Sequence, residues 1–152
     1  MPTFYMLIGV PASGKSTWRA RLSEHIDFVA ISSDDKIENY AKSLGLTYSD
    51  VFKHVIRDAS KKMEDDLKHA ICENRNIVWD QTNLTAESRR KKLMNIPAHY
   101  YKIAVYFPIP EDLDARLASR QGKNIPSNVM ENMKSQLEIP TLDEGWNEVI
   151  FR

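Results

Sequence analysis

Short apolar runs alternate with amphipathic stretches along the whole chain. Thr3 to Ile8 is a continuous apolar run of strand length, and similar runs follow at Phe28-Val29-Ala30-Ile31, Asn76 to Asp80, and about Tyr100 to Phe107. Glu148 to Phe151 supplies a candidate last strand. The stretches between them carry helical spacing. Lys15 to about His25 forms the first helix, and about Lys36 to Leu44 the second, stopped by Gly45. The longest helix runs from about Ser49 to Glu73, with Phe52, Ile56, Ala59, Met63, Leu67 and Ala70 recurring every three or four residues. Ser49 suits its cap and Asp50 its first turn. Thr85 caps a helix from Ala86 to about Met94. Pro108 and Pro110 close the fourth strand and open a helix over about Glu111 to Arg120. Gln121-Gly122-Lys123-Asn124 interrupts it, and Pro126 begins another helix to about Glu138. The tail from Ile139 is less regular, with Trp146 expected to anchor it by packing. Strands alternating with helices predict an α/β fold with a central parallel sheet of four to five strands.

Composition narrows this picture without redirecting it. A chain of 152 residues, 42% hydrophobic and 28% charged, suits one soluble domain over residues 1–152 with a real core. Net charge is zero, so any polyanion must be met by a local patch rather than a whole-protein field. The single cysteine, Cys72, allows no internal disulfide, and the four histidines are too scattered for a zinc site. No apolar run approaches the length needed to span a membrane. The first strand begins almost at residue 1, so no signal peptide is expected, and a reducing cytoplasm is the expected compartment (the host's, if the source is a phage). Oligomeric state leaves no trace in the sequence.

The chemistry starts in the segment Gly9-Val10-Pro11-Ala12-Ser13-Gly14-Lys15-Ser16-Thr17. It has the spacing of a phosphate-binding loop and sits between a strand and a helix, the context that gives the motif physical content. Glycines allow a tight fold in which successive N–H groups converge on one anion, and the helix start adds its positive dipole end. Lys15 would neutralise the β- and γ-phosphates of a nucleotide, and Ser16 would ligate Mg²⁺.

Open α/β sheets gather function at the carboxyl ends of their strands. Two more polar clusters fall there. Ser32-Ser33-Asp34-Asp35 follows the second strand; one aspartate caps or charges a helix start, and one is left as a candidate general base. An alcohol acceptor needs a base, whereas a phosphate acceptor needs arginines, and none lies between Arg21 and Arg57. Asp80 ends the third strand, where a metal-holding carboxylate sits, and Thr82 and Asn83 follow as small polar groups for an acceptor. Arg116 and Arg120, four apart on one expected helix, can close over a triphosphate as a lid. In the run Arg89-Arg90-Lys91-Lys92, most of which reads as a solvated face, Arg89 is a candidate contact to a polynucleotide backbone. Tyr40, Tyr48 and Trp18 are candidate base-stacking groups, with packing the simpler fate of each.

Taken together, the motifs resemble the kinase domain of bacteriophage polynucleotide 5′-hydroxyl kinase, within the P-loop kinases, over about residues 3–140. The resemblance rests on Ile8 to Trp18, the Asp34-Asp35 pair, Thr82-Asn83-Leu84 with Arg89-Arg90 after it, and Arg116-x-x-x-Arg120-x-Gly122-x-x-x-Pro126. It implies a three-layer P-loop kinase fold with a helical lid over about 112–138. It implies transfer of the γ-phosphoryl of ATP, with Mg²⁺, to the 5′-hydroxyl of DNA or RNA. It implies that Lys15, Ser16 and Thr17 bind phosphates and metal, that Asp34 is the base, that Arg116 and Arg120 are lid arginines with Arg120 assisting transfer, and that Thr82 lies in the acceptor site; Asp35, Asn83 and Arg89 are further acceptor-site candidates beside it. Phage enzymes carry an arginine before the acidic pair, another shortly after it, and an acid before Thr-Asn; here these places hold Ser33, Ile37 and Gln81. The phosphatase domain that often follows is not expected in a chain of this length. Two readings remain beside the polynucleotide kinase: a kinase of a small hydroxyl compound such as a nucleoside, sugar, nucleotide-sugar or antibiotic, and a nucleotide-binding switch without an acceptor.

Overall fold

Alternating burial along the first strand sets the layers. In β1 (Thr3–Ile8), Phe4, Met6 and Ile8 pack into one core while Leu7 packs into another, because successive side chains point to opposite faces. The computed structural model describes residues 1–120 and 122–152; Gln121, part of the expected interruption in the lid, lies outside them. The remaining strands are β2 (Val29–Ile31), β3 (Ile77–Asp80), β4 (Tyr101–Tyr106) and β5 (Glu148–Phe151). They form one sheet in the order β2-β3-β1-β4-β5, every pairing parallel.

The helices are α1 (Lys15–Ser23), α2 (Ser33–Ser43), α3 (Tyr48–Cys72), α4 (Ala86–Leu93), α5 (Leu113–Ala118) and α6 (Ser127–Gln136). Trp18 and Leu22 of α1 cover one face of the sheet, over Leu7, Val78, Val105 and Phe107. Met63, Leu67 and Ala70 of α3, Leu93 of α4 and Trp146 of the tail cover the other. Trp146 is the packing anchor its sequence position suggested: its ring lies parallel to that of Phe4, centroids 6.5 Å apart, with Trp79 edge-on to Phe4 at 6.4 Å. Such aromatic pairs add about 0.5–1.5 kcal/mol each beyond the area they bury.

Three boundaries differ from the sequence reading, each because of a cap or a break. Ser32 accepts a hydrogen bond from Asp35 N, so α2 starts at Ser33 and takes Asp34 and Asp35 into its first turn. Thr47, not Ser49, caps α3 in a reciprocal box with Asp50. The first lid helix α5 ends at Ala118, so Arg120 lies beyond it and the two lid arginines do not share a helix face. The lid segment is seated by Leu113, Leu117, Met130 and Met133, which pack against Val10 of the phosphate loop and Leu84. Among the described residues no helix is long and apolar enough to cross a membrane.

Candidate active site

The phosphate loop is built by contacts that only glycine permits at two places. A Cβ on Gly9 would stand 2.6 Å from Ser13 Oγ and 3.0 Å from Phe107 Cβ, and Gly14 adopts a φ of 104°. Gly9 N donates to the carbonyl of Thr82 at 3.0 Å, which ties the loop after β1 to the turn after β3. Among the described residues no side chain caps α1, so the N–H groups of its first turn are not taken up by a capping oxygen.

Lys15 is buried, and its ammonium donates to the carbonyls of Gly9 and Val10, each at 2.8 Å. Burial pulls its pKa down to about 8, against the opposing pull of Asp80 and Asp34. A bound phosphate favours the charged form. Above pH 8 the free protein has lost that proton and must take it up to bind. Nucleotide affinity is therefore expected to fall as pH rises through 8 and beyond, with proton uptake on binding, by up to about ten-fold per pH unit. Calorimetry in buffers of different ionisation enthalpy reads the proton directly. A flat affinity from pH 7 to 9.5 without proton uptake would contradict this role for Lys15.

One cleft of about 360 Å³ collects most of the site. It is lined by the phosphate loop from Pro11 and Ala12 through Gly14 to Thr17, by Asp34, Asp35, Asp80 and Thr82, and by Arg116 and Arg120 of the lid. Ser13 is buried beside the Lys15 ammonium, at 3.5 Å. Arg116 donates to the carbonyl of Ala12 at 3.3 Å and pairs with Asp112 at 2.9 Å. Arg116 thus meets the phosphate loop, and Arg120, from beyond the end of α5, lines the same cleft.

The two neighbouring aspartates have different partners. Asp35 pairs with Arg19 at 2.8 Å. Arg19 also grips Asp80 at 2.9 Å, so one guanidinium spans the strand-end carboxylates of β2 and β3. Asp34 accepts from the Tyr48 hydroxyl at 2.7 Å, and Lys123 stands 3.6 Å from its other oxygen while bonding Glu38 more closely. Burial first, and then the bond to Asp34, raise the Tyr48 pKa, so Tyr48 stays a hydroxyl donor. Asp34 is the more exposed of the pair, at 54% against 41% for Asp35.

Asp80 is largely buried, and burial pushes its carboxyl up against the pull of Arg19 and Lys15. Arg19 occupies one of its oxygens, and Asp80 and Ser16 line the same cleft. Among the described residues no cluster of three or more acidic, histidine or cysteine side chains could hold a metal alone. The pair fits Mg²⁺, which needs few protein ligands where phosphate oxygens and water complete its shell.

Two acceptor candidates are corrected. Arg89 is wholly buried: it pairs with Glu144 at 2.8 Å and donates to the carbonyls of Asn83 and Leu84, so its cation is spent holding the tail and the turn after β3. Asn83 is buried with a φ of 49°, its amide donating to Leu7 O at 2.7 Å and its oxygen taking Lys92. Both support the turn that carries Thr82 and neither reaches the cleft. Of the candidate stacking groups, Trp18 is packed edge-on to Tyr5 and Phe107, and Tyr40 does not line the cleft.

The departures from the phage pattern also find their place. Gln81 Nε2 donates to Ser33 Oγ at 3.1 Å, so two of the changed positions meet as one neutral hydrogen bond. Ile37 is fully buried in the α2–α3 core and Lys36 pairs with Asp66 at 2.7 Å, so neither offers a cation to an acceptor. The cation beside Asp34 is Lys123, from the lid. Arg19 and Tyr48 were not legible as partners of the aspartates, because their contacts cross between helices; the only local signal was an arginine one turn into α1, which reads as surface.

Comparison with known proteins places the chain. A family model described as an AAA domain matches residues 4–140. Heterogeneous nuclear ribonucleoprotein U-like protein 2 of Homo sapiens is 23% identical over 96% of this chain and 21% of its own length. L-seryl-tRNA(Sec) kinase of Methanococcus maripaludis is 25% identical over 93% of this chain and 55% of its own. The chain thus spans about a fifth of the first relative and about half of the second. Among solved structures, a putative kinase from Chloroflexus aurantiacus superposes with a TM-score of 0.74 at 20% identity, covering 99% of this chain and 84% of that one. A chain of the Pnkp1/Rnl/Hen1 RNA repair complex does so with 0.69 at 22% identity, covering 90% and 44%. The fold of this chain is that of the P-loop kinases.

Proposed function

The chain belongs to the AAA domain family, and on that premise we propose that it is an ATP-dependent kinase that moves the γ-phosphoryl of ATP to the 5′-hydroxyl end of DNA or RNA. The observation that carries this reading is the convergence of the phosphate loop, Asp34 and the lid arginines on one cleft. Residues 1–152 act as a single kinase domain, with about 112–138 as its lid.

The geometry supports the following roles. Gly9 to Gly14 and the first turn of α1 cradle the phosphates, with Thr17 beside them. Lys15 exchanges its loop carbonyls for phosphate oxygens. Ser16 and Asp80 would hold Mg²⁺, which would supply charge neutralisation on the phosphates. Arg116 and Arg120 add cations from the lid side, where charge develops as the phosphoryl group departs. Asp34 takes the proton of the acceptor hydroxyl on Oδ2, the oxygen that Tyr48 does not bond and that Lys123 faces at 3.6 Å, while Asp35 is held away from that task by Arg19. Thr82, on the turn after β3, faces the same cleft from the acceptor side.

A polynucleotide acceptor is supported by a relative named as a tRNA kinase and a structural neighbour within an RNA repair complex. A small hydroxyl compound is the second reading, and the buried Ile37 favours it, because the cation expected there by resemblance is missing. A panel of acceptors under γ-labelled ATP and Mg²⁺ separates the two: short 5′-hydroxyl DNA and RNA against nucleosides and sugars. The expected result is label on a polynucleotide with kcat/KM at least about ten-fold above any small acceptor. Label confined to a small compound moves the assignment to the second reading, and ATP hydrolysis with no acceptor product would point to a nucleotide switch.

A further inference from the structure

A second groove of about 450 Å³ runs on from the catalytic cleft and shares Glu38, Arg120 and Lys123 with it. Ala41 and Lys42 of α2 form one side, and Leu46, Thr47 and Tyr48 at the start of α3 form the other. The lid loop bounds it: Ser49 N donates to Gly122 O and Asn124 N to Ser49 Oγ, each at 3.2 Å. Gly122 has a φ of 71°, and a Cβ there would stand 2.9 Å from Thr47 Cβ, so the loop lies close against α3.

Charge and surface along this groove match a nucleic acid strand. Among the described residues Lys42, Arg120 and Lys123 line it against Glu38, with Asp34 3.6 Å from Lys123 at its edge, which leaves a local positive excess in a chain of zero net charge. Lys123 lies over the Tyr48 ring, 4.6 Å from its centroid. Phe52 continues that wall one turn along α3, its ring 5.6 Å from Tyr48, and both Phe52 and Leu46 are exposed at 39% and 48%. Cations for a phosphodiester beside apolar and aromatic faces for bases are what sequence-tolerant single-strand binding uses. A small acceptor would need only the cleft.

We propose that this groove carries the acceptor strand, with the phosphodiester following the terminal nucleotide near Lys42 and the next bases against Tyr48, Phe52 and Leu46. The inference rests on the kinase reading above and adds to it the path of a single-stranded acceptor.

The test compares wild type with Lys42→Glu and Phe52→Ala, on a free nucleoside and on 5′-hydroxyl acceptors of three and eight nucleotides. In wild type, KM falls as the acceptor lengthens. Each variant raises KM for the octanucleotide by about ten-fold, leaves the free nucleoside nearly unchanged, and leaves kcat and the KM of ATP as they were. Lys42→Glu also lowers the salt slope of octanucleotide affinity by about one. Equal effects at every length, or none, would overturn the groove. Fluorescence anisotropy of a labelled octanucleotide without ATP reads the groove independently of transfer. Wild-type binding weakened by either variant supports it, and absence of binding overturns it. Transfer without length dependence leaves the kinase and removes the groove; strand binding without transfer leaves the groove and removes the kinase.

Discussion

Asp34→Asn lowers kcat for transfer to a hydroxyl acceptor by about 10²–10⁴-fold while ATP binding is unchanged. An alcohol keeps its proton far above neutral pH, so attack on phosphorus requires a nearby group to receive it. Asparagine preserves the shape of the side chain and its bond from Tyr48 but has no basic oxygen. Asp35→Asn is expected to act differently. It loosens Arg19, which also holds Asp80 at 2.9 Å, so it weakens the response to Mg²⁺ more than it slows the proton step. Steady-state kinetics on both variants, with nucleotide affinity measured beside them, distinguishes the two. A larger loss of kcat in Asp35→Asn than in Asp34→Asn would transfer the role of base to Asp35.

Glu144→Ala destabilises the fold by about 3–5 kcal/mol, the cost of leaving a buried charge without its partner. Arg89 has no exposed surface, and Glu144 meets it through both oxygens, at 2.8 and 3.0 Å. Glu144 also accepts from Thr141 N and from the Trp146 indole, so the same carboxylate sets the turn that seats the tail on the sheet. Its pKa is lowered: burial opposes this, but the bonds from Arg89 and Thr141 and the Arg89 charge prevail. A depressed carboxylate contributes stability that is present above its unfolded pKa and is lost as pH falls through the folded one. For a domain of this size the expected drop in Tm is on the order of 10 °C. Replacing both partners with apolar residues, Arg89→Met with Glu144→Leu, removes the unpaired charge but also the bonds to Asn83 O, Leu84 O, Thr141 N and the Trp146 indole, so it recovers only part of the loss. Thermal denaturation of the three proteins checks this. A Tm within about 2 °C of wild type for Glu144→Ala would show the pair to be dispensable.

What the sequence made legible is what is local. The phosphate loop could be read because the spacing of Gly9, Gly14 and Lys15 encodes its own geometry, and β1 and α1 followed from the apolar runs on either side. The long α3 was legible from its repeat, and Trp146 from being a large apolar residue in an otherwise irregular tail. Cap competition moved the start of α2: an aspartate of the Asp34-Asp35 pair suits a cap, but Ser32 takes it through the bond from Asp35 N, which draws both aspartates into the first turn. Arg89 was misread because its local setting, Arg-Arg-Lys-Lys, is that of a solvated face. Its burial depends on Glu144, brought over it by the tail, and no local pattern records that. The groupings Arg19 with Asp35 and Asp80, and Tyr48 and Lys123 with Asp34, join separate helices and the lid, so they are properties of the fold. The compensation between Ser33 and Gln81 also needed coordinates, since two separate departures in the sequence become one contact in space.

The most direct measurement of the central claim uses two strands of identical sequence, one ending in a 5′-hydroxyl and one in a 5′-phosphate, each incubated with γ-labelled ATP, Mg²⁺ and the wild-type protein. The account predicts label on the hydroxyl strand alone, all of it removable from the 5′ end by a phosphatase. Labelling of neither strand, while a small hydroxyl compound accepts phosphate under the same conditions, would contradict it.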